Sequence, residues 1–226
     1  MTSDSPYHDK PSRWSSHSRI VARLDILPAH SKVLDVGTAT GTLARMCQKN
    51  PLRFFGVESD AHWAQIASPF YEKIWVQSVD VVDEKFLKGY EAIVLGDVLE
   101  HLAAPEAVLQ KLVNLQFPDS IFIISVPNIA NLWIRLNLFF GRFDYTQRGI
   151  LDRTHLRFFT RKTLLAMVKN TGLEIISIQP TPIPLELVSV FFATIPGKAL
   201  HAALAHLTYL MPTLLGYQFV VEAKKP

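Results

Sequence analysis

The chain has 226 residues, of which 49% are hydrophobic and 19% are charged, and its formal net charge is +3. This composition predicts one folded domain over residues 1–226 and excludes both wholesale disorder and two full domains. The small net charge does not indicate a nucleic-acid partner, and a single cysteine, Cys47, excludes an intramolecular disulfide and a cysteine-built zinc site.

The N-terminal residues are polar and lack the basic and apolar regions of a secretory signal. Together with the single cysteine, this pattern favours a cytoplasmic protein. Residues 18–27 predict a short helix that ends before Pro28. We expect residues 1–30 to form an N-terminal lid or helix.

Short apolar runs rich in β-branched residues then alternate with helical patterns. The predicted strands are residues 32–36, 53–57, 74–78, 92–95 and 121–126. The predicted helices between them are residues 42–48, 61–68 and 105–115. Strands that alternate with helices predict parallel crossovers, and therefore an α/β fold with a doubly wound, mostly parallel sheet covered on both faces.

Two stretches interrupt this alternation. Residues 127–160 mix aromatic residues with arginines before a helix resumes at 161–169, and an apolar stretch punctuated by prolines, 180–216, separates strands at 174–178 and 217–222. If strands five and six are parallel to the others, both insertions leave from carboxyl ends of strands, where open α/β sheets bind ligands. The insertions should therefore form the substrate edge of a seven-stranded sheet.

The first strand passes into a helix through the turn VLDVGTATG, residues 33–41. Gly37 and Gly41 allow the backbone to approach a ligand closely, although a glycine turn alone is also an ordinary tight turn. Glu58 ends the second strand, where a carboxylate can accept both hydroxyls of a ribose. Four acidic side chains fall at consecutive strand ends, Asp35, Glu58, Asp80 and Asp97. This edge is therefore predicted to bind a nucleoside.

With these motifs the chain resembles the class I S-adenosylmethionine-dependent methyltransferases. VLDVGTATG resembles their first motif, FFGVESD the second, VQSVDVVD the third and YEAIVLGDVLEHL the fourth. The resemblance implies an enzyme with a Rossmann-like methyltransferase fold and S-adenosylmethionine as its cofactor. The cofactor-binding positions that it implies are Asp35, Gly37, Thr38, Gly41, Glu58, Ser59, Asp80, Val81 and Asp97.

Within that set, the resemblance implies that the glycine turn lies against the methionine end of the cofactor and that Glu58 holds the ribose. It places Asp80 at the adenine amine and Asp97 near the sulfonium. Ala39 departs from the family, which often has glycine there, and we expect altered contact rather than loss of binding. A dinucleotide oxidoreductase is disfavoured by the Asp-x-Gly-x-x-x-Gly form and by the last two strands, which we expect to be joined by a loop instead of a crossover helix.

The segment Asp97-Val98-Leu99-Glu100-His101 resembles the Glu-x-x-Glu-His segment of ubiquinone-biosynthesis O-methyltransferases, to which that family assigns a divalent metal. Hard cations need more oxygen ligands than this segment supplies, so we favour an arrangement without metal. In that arrangement Asp97 serves the cofactor, Glu100 faces solvent and His101 orients a loop. His101 is also a candidate general base, because a neutral imidazole can accept a proton near pH 7.

The first insertion interleaves arginines with aromatic residues, and residues 131–170 carry eight basic and two acidic side chains, a net charge of +6. Such a pattern can bind nucleic acid, but Asp144 and Asp152 lie inside it, and the family resemblance places it over the methyl-acceptor pocket. We predict His155 as a general base and Tyr145, Asp152, Arg153 and Arg157 as substrate-binding residues. The structural alternative is that Asp152 and Arg153 fix the loop through salt bridges.

The family resemblance implies methyl transfer, which we expect to reach an acceptor oxygen, less readily a nitrogen, of a small or lipid- or glycan-linked metabolite. The alternative is a non-catalytic cofactor-binding partner or membrane-docked subunit with the same fold. Leu200, Leu204 and Leu207 recur at helical spacing in the second insertion. They predict either core packing or a homodimer interface, or an apolar lid that contacts the inner face of the membrane peripherally. No nucleic-acid partner is expected.

Overall fold

The structure is a computed structural model that describes residues 12–47, 49–187 and 189–226. Its strands are β1 (Lys32–Val36), β2 (Arg53–Glu58), β3 (Lys73–Val76), β4 (Ala92–Gly96), β5 (Ile121–Pro127), β6 (Glu174–Thr181) and β7 (Gln218–Lys224). Its helices are α1 (Ser16–Leu24), α2 (Thr42–Met46), α3 (Ala61–Ala67), α4 (Pro105–Leu115), α5 (Leu132–Phe139), α6 (Arg161–Asn170), α7 (Ile195–Leu210) and α8 (Pro212–Leu215).

The strands form one sheet in the order β3-β2-β1-β4-β5-β7-β6. Strands β1 to β5 pair in parallel, and β7 is antiparallel to both β5 and β6, so β6 runs parallel to β5. The predicted seven-stranded, mostly parallel and doubly wound sheet is therefore confirmed. The strand order reverses between β1 and β4, and the crevice at the carboxyl ends of these two strands is where such sheets bind ligands.

Successive residues of a strand point to opposite faces of the sheet. Helices cover both faces, so both sets of side chains are buried. Leu34 packs with Leu109 of α4 and Leu164 of α6 in one apolar cluster. The preceding residue, Val33, packs with Ile20 of α1 in a second cluster on the other face. This double burial explains why the strands are continuous apolar runs instead of alternating ones.

Several predicted boundaries shift. Helix α1 begins earlier than predicted because the Ser15 side chain accepts the Ser18 amide, and it ends at Leu24. Asn50 Nδ2 donates to the Leu27 carbonyl at 2.7 Å, which holds the chain after α1 in a turn. Strand β3 ends at Val76, two residues before the prediction, and α2 ends at Met46. Residue 48 of the predicted helix and residues 1–11 of the N-terminal segment lie outside the described residues.

Each of the two insertions contains helices. The first insertion contains α5, a helix that was not predicted from the sequence. Asn131 is its N-cap residue, and the Asn131 side chain accepts a hydrogen bond from the Trp133 amide. The expectation of a plain loop between the last two strands is wrong, because that connection contains α7, a helix of 16 residues that packs against β6. The expectation that no crossover helix joins them is confirmed, since β6 and β7 are antiparallel neighbours. The chain then returns as β7 between β5 and β6.

Two asparagine side chains join the two insertions. Asn128 Nδ2 donates to the carbonyls of Thr213 and Gly216 at 3.0 and 2.8 Å. Asn131 Nδ2 donates to the Gly216 carbonyl at 2.9 Å. The beginning of α5 is therefore held against the end of the second insertion. Among the described residues, no helix has the length and hydropathy needed to cross a membrane.

Candidate functional site

The turn after β1 requires glycine at its first position. Gly37 has a φ of +76°, and a Cβ atom placed on it would lie 2.7 Å from Val98 Cγ2. Ala39 also has a positive φ, +44°. Alanine tolerates that conformation at a cost of about 1 kcal/mol. The resulting backbone points the Ala39 amide at the Glu58 side chain.

Glu58 is fixed at the end of β2 by this turn. Its Oε2 accepts the Ala39 amide at 2.8 Å, and its Oε1 accepts the Asp60 amide at 2.9 Å. A carboxylate has about four lone-pair positions. Two backbone amides thus orient the group, and the Ser59 hydroxyl donates a longer hydrogen bond to Oε1 at 3.4 Å. One acceptor position stays open on Oε2 for a ribose hydroxyl, and a second opens on Oε1 when the Ser59 hydroxyl turns away.

Asp35 is buried beneath the turn, and Tyr71 Oη donates to its Oδ2 at 2.5 Å. Burial raises the pKa of Asp35 to about 7, the Tyr71 hydrogen bond opposes that rise, and the charge of Glu58 adds to it. Within the described part of the chain, Asp35 Oδ1 and Thr38 Oγ1 are buried without a hydrogen-bond partner. Because buried polar atoms are normally satisfied, these two indicate a place for a polar ligand.

Asp97 follows β4 with a φ of +57°. Ser125 Oγ of β5 donates to its Oδ1 at 2.6 Å, and Gln218 Nε2 of β7 donates to its Oδ2 at 2.7 Å. Side chains of β5 and of the next strand, β7, therefore fix this carboxylate. It is held at the carboxyl edge of β4, on the opposite side of the switch point from Glu58.

The first insertion closes over the turn that follows Asp97. The amides of Leu156 and Arg157 donate to the Glu100 carbonyl at 2.8 and 3.0 Å. The prediction that Glu100 faces solvent is wrong, since its side chain is 1% exposed beneath this loop. The Arg157 guanidinium donates twice to the Ala103 carbonyl, at 3.1 and 2.6 Å, so it fixes the loop to the same turn.

The loop brings two histidines together. His155 Nδ1 lies 3.1 Å from the Ile150 carbonyl, and His101 Nδ1 lies 3.3 Å from the Thr154 carbonyl. Because a carbonyl only accepts, each contact favours the tautomer with hydrogen on Nδ1 and an unprotonated Nε2. Burial lowers the pKa of His155, and the nearby His101 lowers it further. His155 is therefore neutral near pH 7 and competent to accept a proton.

Asp152 shapes the segment that precedes His155. Its Oδ1 accepts the Thr154 amide at 2.8 Å and the Thr154 hydroxyl at 2.6 Å. Burial opposes ionisation of Asp152, but the hydrogen bonds from Thr154 and the charges of His155 and His101 outweigh it and lower the pKa. Asp152 is thus an anion that orders the loop through Thr154 instead of through an arginine.

A cavity of about 750 Å³ lies over the carboxyl ends of β1 and β4. The structure brings together around it ten of the predicted site residues: Asp35, Gly37, Thr38, Glu58, Ser59, Asp97, His101, Asp152, Arg153 and His155. The size is within the range of small-molecule and cofactor sites. The cofactor half of the prediction and the acceptor half thus border a single space.

Five predicted site residues do not line this cavity, namely Gly41, Asp80, Val81, Tyr145 and Arg157. A Cβ on Gly41 would lie 3.1 Å from Ala67 Cα, so this glycine serves the packing of α2 on α3. Asp80 accepts a hydrogen bond from Ser78, Val81 is exposed, and Tyr145 packs edge to face on Phe143. Their predicted binding roles stay predictions.

Other lining residues were missed from the sequence. Gln77 and Ser78 follow β3 directly, but the predicted strand 74–78 included both of them, so the strand-end argument pointed past them to Asp80. His17 of α1 and Trp63 of α3 line the cavity from helices. They carry no sequence signal, because nothing local shows which helix faces the crevice.

The buried end of the cavity also offers a metal-type donor set. Glu100, His101 and His155 each present a ligand atom, and these atoms lie within 4.8 Å of one another. Two imidazoles and a carboxylate suit divalent transition metals better than calcium or magnesium. The set includes His155 of the insertion, which the sequence segment 97–101 did not contain. The similarity of that segment to ubiquinone-biosynthesis enzymes stays a prediction.

A family model described as a methyltransferase domain matches residues 8–178. Among solved structures, the chain is similar to an S-adenosylmethionine-dependent methyltransferase from Archaeoglobus fulgidus, with a TM-score of 0.64, 16% identity and 96% of each chain covered. It is also similar to magnesium protoporphyrin IX methyltransferase from Synechocystis with bound S-adenosylhomocysteine, with a TM-score of 0.60, 14% identity and 95% and 83% coverage.

A third similar structure is the [4+2]-cyclase SpnF, with a TM-score of 0.58, 18% identity, and 97% of this chain and 85% of that chain covered. At these identities the structural likeness concerns the fold alone. No curated protein matches the chain.

Proposed function

The chain belongs to the methyltransferase-domain family and is an S-adenosylmethionine-dependent methyltransferase, and we propose that it methylates an oxygen atom of a small or lipid- or glycan-linked acceptor. The observation that carries the oxygen assignment is His155. It lines the cavity, its Nδ1 faces a carbonyl, and burial lowers its pKa. A hydroxyl needs a base to lose its proton, whereas a neutral amine can attack without one.

The cavity fits the methyl donor. Glu58 can accept the two ribose hydroxyls when the Ser59 hydroxyl turns away from its Oε1. The unpartnered Asp35 Oδ1 among the described residues suits an ammonium or amide donor. Gly37 keeps the turn open where any side chain would collide with Val98. When bound, the donor supplies an electrophilic methyl group on a sulfonium sulfur.

Residues of the protein itself carry out the remaining steps. His155 accepts the acceptor's proton at Nε2, and the imidazolium that forms is close to the Asp152 and Asp97 carboxylates, both of which raise its pKa. Asp152 keeps the His155 segment in place through Thr154. Correct alignment of the acceptor with the methyl group contributes much of the rate in such displacements.

Arg153 is the residue that we propose for binding an anionic group of the acceptor. It lines the cavity two residues before His155, in a region of positive net charge. A guanidinium binds carboxylate or phosphate oxygens through paired hydrogen bonds. Arg157 is not assigned this role, because its guanidinium contacts the Ala103 carbonyl.

The test uses matched acceptors that differ only in a hydroxyl or an amine, incubated with methyl-labelled S-adenosylmethionine. Label transfer to the hydroxyl compounds, with His155→Gln slower by about 10²-fold, is the expected result. Transfer to the amines alone would refute the oxygen assignment. Binding of S-adenosylhomocysteine without transfer to any acceptor would favour the non-catalytic alternative.

A further inference from the structure

Helix α7 buries its small and polar side and exposes its apolar side. The buried residues are Gly197, His201, Ala205 and Thr208. The exposed residues include Leu200, Leu204 and Leu207, which are 47%, 39% and 42% exposed, and Leu210, which is 69% exposed. An amphipathic helix of a soluble domain normally has the opposite arrangement. The apolar stripe predicted from the sequence is therefore not part of the core.

Helix α5 presents a second apolar group beside it. Of its residues only Ile134 is buried. Trp133, Phe139 and the adjoining Phe140 are 66%, 82% and 71% exposed. The Asn128 and Asn131 side chains bind the carbonyls of Thr213 and Gly216, so the beginning of α5 is held against the short helix α8 that follows α7.

The charges around this surface are positive. Arg135 and Arg142 are exposed on and after α5, and Lys198 is exposed near the beginning of α7. Lys198 is the only formally charged residue of α7, and Arg135 is the only one of α5. Exposed aromatic and leucine side chains with arginine and lysine at their border are typical of helices that lie in a membrane interface.

We propose that the exposed faces of α5 and α7 dock on an anionic lipid bilayer, with the apolar side chains inserted below the headgroups. Charge favours a bilayer over a second copy of the chain. A two-fold interface apposes each patch with itself, which would bring Arg135, Arg142 and Lys198 of one copy close to the same residues of the other. Anionic headgroups instead neutralise that charge. Residues of both insertions line the cavity, among them Arg148 and Pro184.

Flotation tests this surface without any methyl transfer. The full chain should float with phosphatidylcholine vesicles that contain phosphatidylglycerol and should stay in solution with pure phosphatidylcholine vesicles. The double variant Phe139→Ser/Phe140→Ser should lose binding by at least about tenfold, and Arg142→Gln by about fivefold. Ile26→Ser is the matched control. Ile26 is 67% exposed, but it precedes the amino end of β1, whereas α5 follows the carboxyl end of β5. Vesicle binding by this variant should be unchanged.

Trp133 provides a second readout that needs no disruptive variant. Its fluorescence should shift to the blue on addition of the anionic vesicles, and the shift should disappear in Trp133→Phe. Sedimentation measured alongside gives the oligomeric state. A monomer that binds neither vesicle would overturn the proposal, and so would a dimer that Leu204→Glu and Leu207→Glu dissociate, because that outcome assigns the surface to a second copy.

Discussion

The imidazole rings of His101 and His155 lie edge to face, with their centroids 4.8 Å apart and their planes at 73°. One histidine comes from the turn after β4 and the other from the first insertion. A positive charge on His101 makes protonation of His155 less favourable. This effect adds to burial in lowering the pKa of His155.

The pH dependence of turnover follows from this pair. Because the neutral form of His155 is the base and burial lowers its pKa from the ordinary histidine value, activity should be constant near pH 7 and should fall only as the pH drops below the ordinary histidine range. His155→Gln should remove this acidic limb and lower kcat by about 10²-fold, with little change in cofactor affinity. Rate measurements across pH check it, and an unchanged kcat would move the role to His101.

Glu58 should control cofactor affinity. Removal of its carboxylate takes away the acceptor for both ribose hydroxyls and also for the Ala39 and Asp60 amides. We expect Glu58→Ala to weaken S-adenosylhomocysteine binding by at least about tenfold, and Glu58→Gln to weaken it less because one acceptor oxygen remains. Calorimetry measures both. If the protein binds NADH and does not bind S-adenosylhomocysteine, the cofactor has been assigned to the wrong class.

Gly37 and Gly172 form a matched pair for the glycine turn. Both have a positive φ, +76° and +83°, but a Cβ on Gly172 meets nothing within 4 Å whereas one on Gly37 meets Val98. Gly172→Ala should cost about 1 kcal/mol of stability and leave cofactor affinity unchanged. Gly37→Ala should cost more and also weaken S-adenosylhomocysteine binding. Equal effects of the two changes on affinity would contradict a cofactor role for the turn.

Asp35 should make the free protein less stable at alkaline pH. Its pKa is about 7 in the fold against 3.8 in the unfolded chain, so the folded state binds the extra proton between these values. Stability from this group is therefore full below about pH 4 and is lost as the pH rises to 7, by up to about 4 kcal/mol. Asp35→Asn should raise Tm more at pH 8 than at pH 5. Equal shifts at both pH values would show that Asp35 is ionised throughout.

Arg153 and Arg157 should separate binding from loop structure. Arg153→Gln should raise the KM for an anionic acceptor by about tenfold with a similar kcat, because a charge-assisted contact is lost. Arg157→Gln should instead lower the melting temperature, since its guanidinium holds the Ala103 carbonyl. Steady-state kinetics with thermal melts distinguish the two, and a KM effect in Arg157→Gln alone would reverse the assignment.

Features that depend on the order of residues along the chain could be predicted from the sequence. The sheet, both insertions and the position of Glu58 at a strand end follow from strand and helix periodicity and from the geometry of parallel sheets. The burial of Glu100 did not follow, because it depends on amides of Leu156 and Arg157 more than fifty residues away. Helix α5 was missed because a helix with one buried residue has no amphipathic pattern.

The orientation of α7 shows the same limit. Periodicity identified its apolar stripe but could not show whether the stripe faces the sheet. The structure places Ala205 inward and Leu204 outward. Which side of a helix is buried depends on contacts with β6 and with residue Glu186, which pairs with His201 at 2.9 Å. Those contacts are non-local.

The most direct measurement is a crystal structure with S-adenosylhomocysteine bound. The account predicts that both ribose hydroxyls lie within hydrogen-bond distance of the Glu58 carboxylate and that the glycine turn at Gly37 borders the homocysteine. It also predicts that His155 borders the space beside the sulfur. A complex in which the ribose is bound by other residues, or in which His155 is separated from the sulfur by the protein, would contradict it.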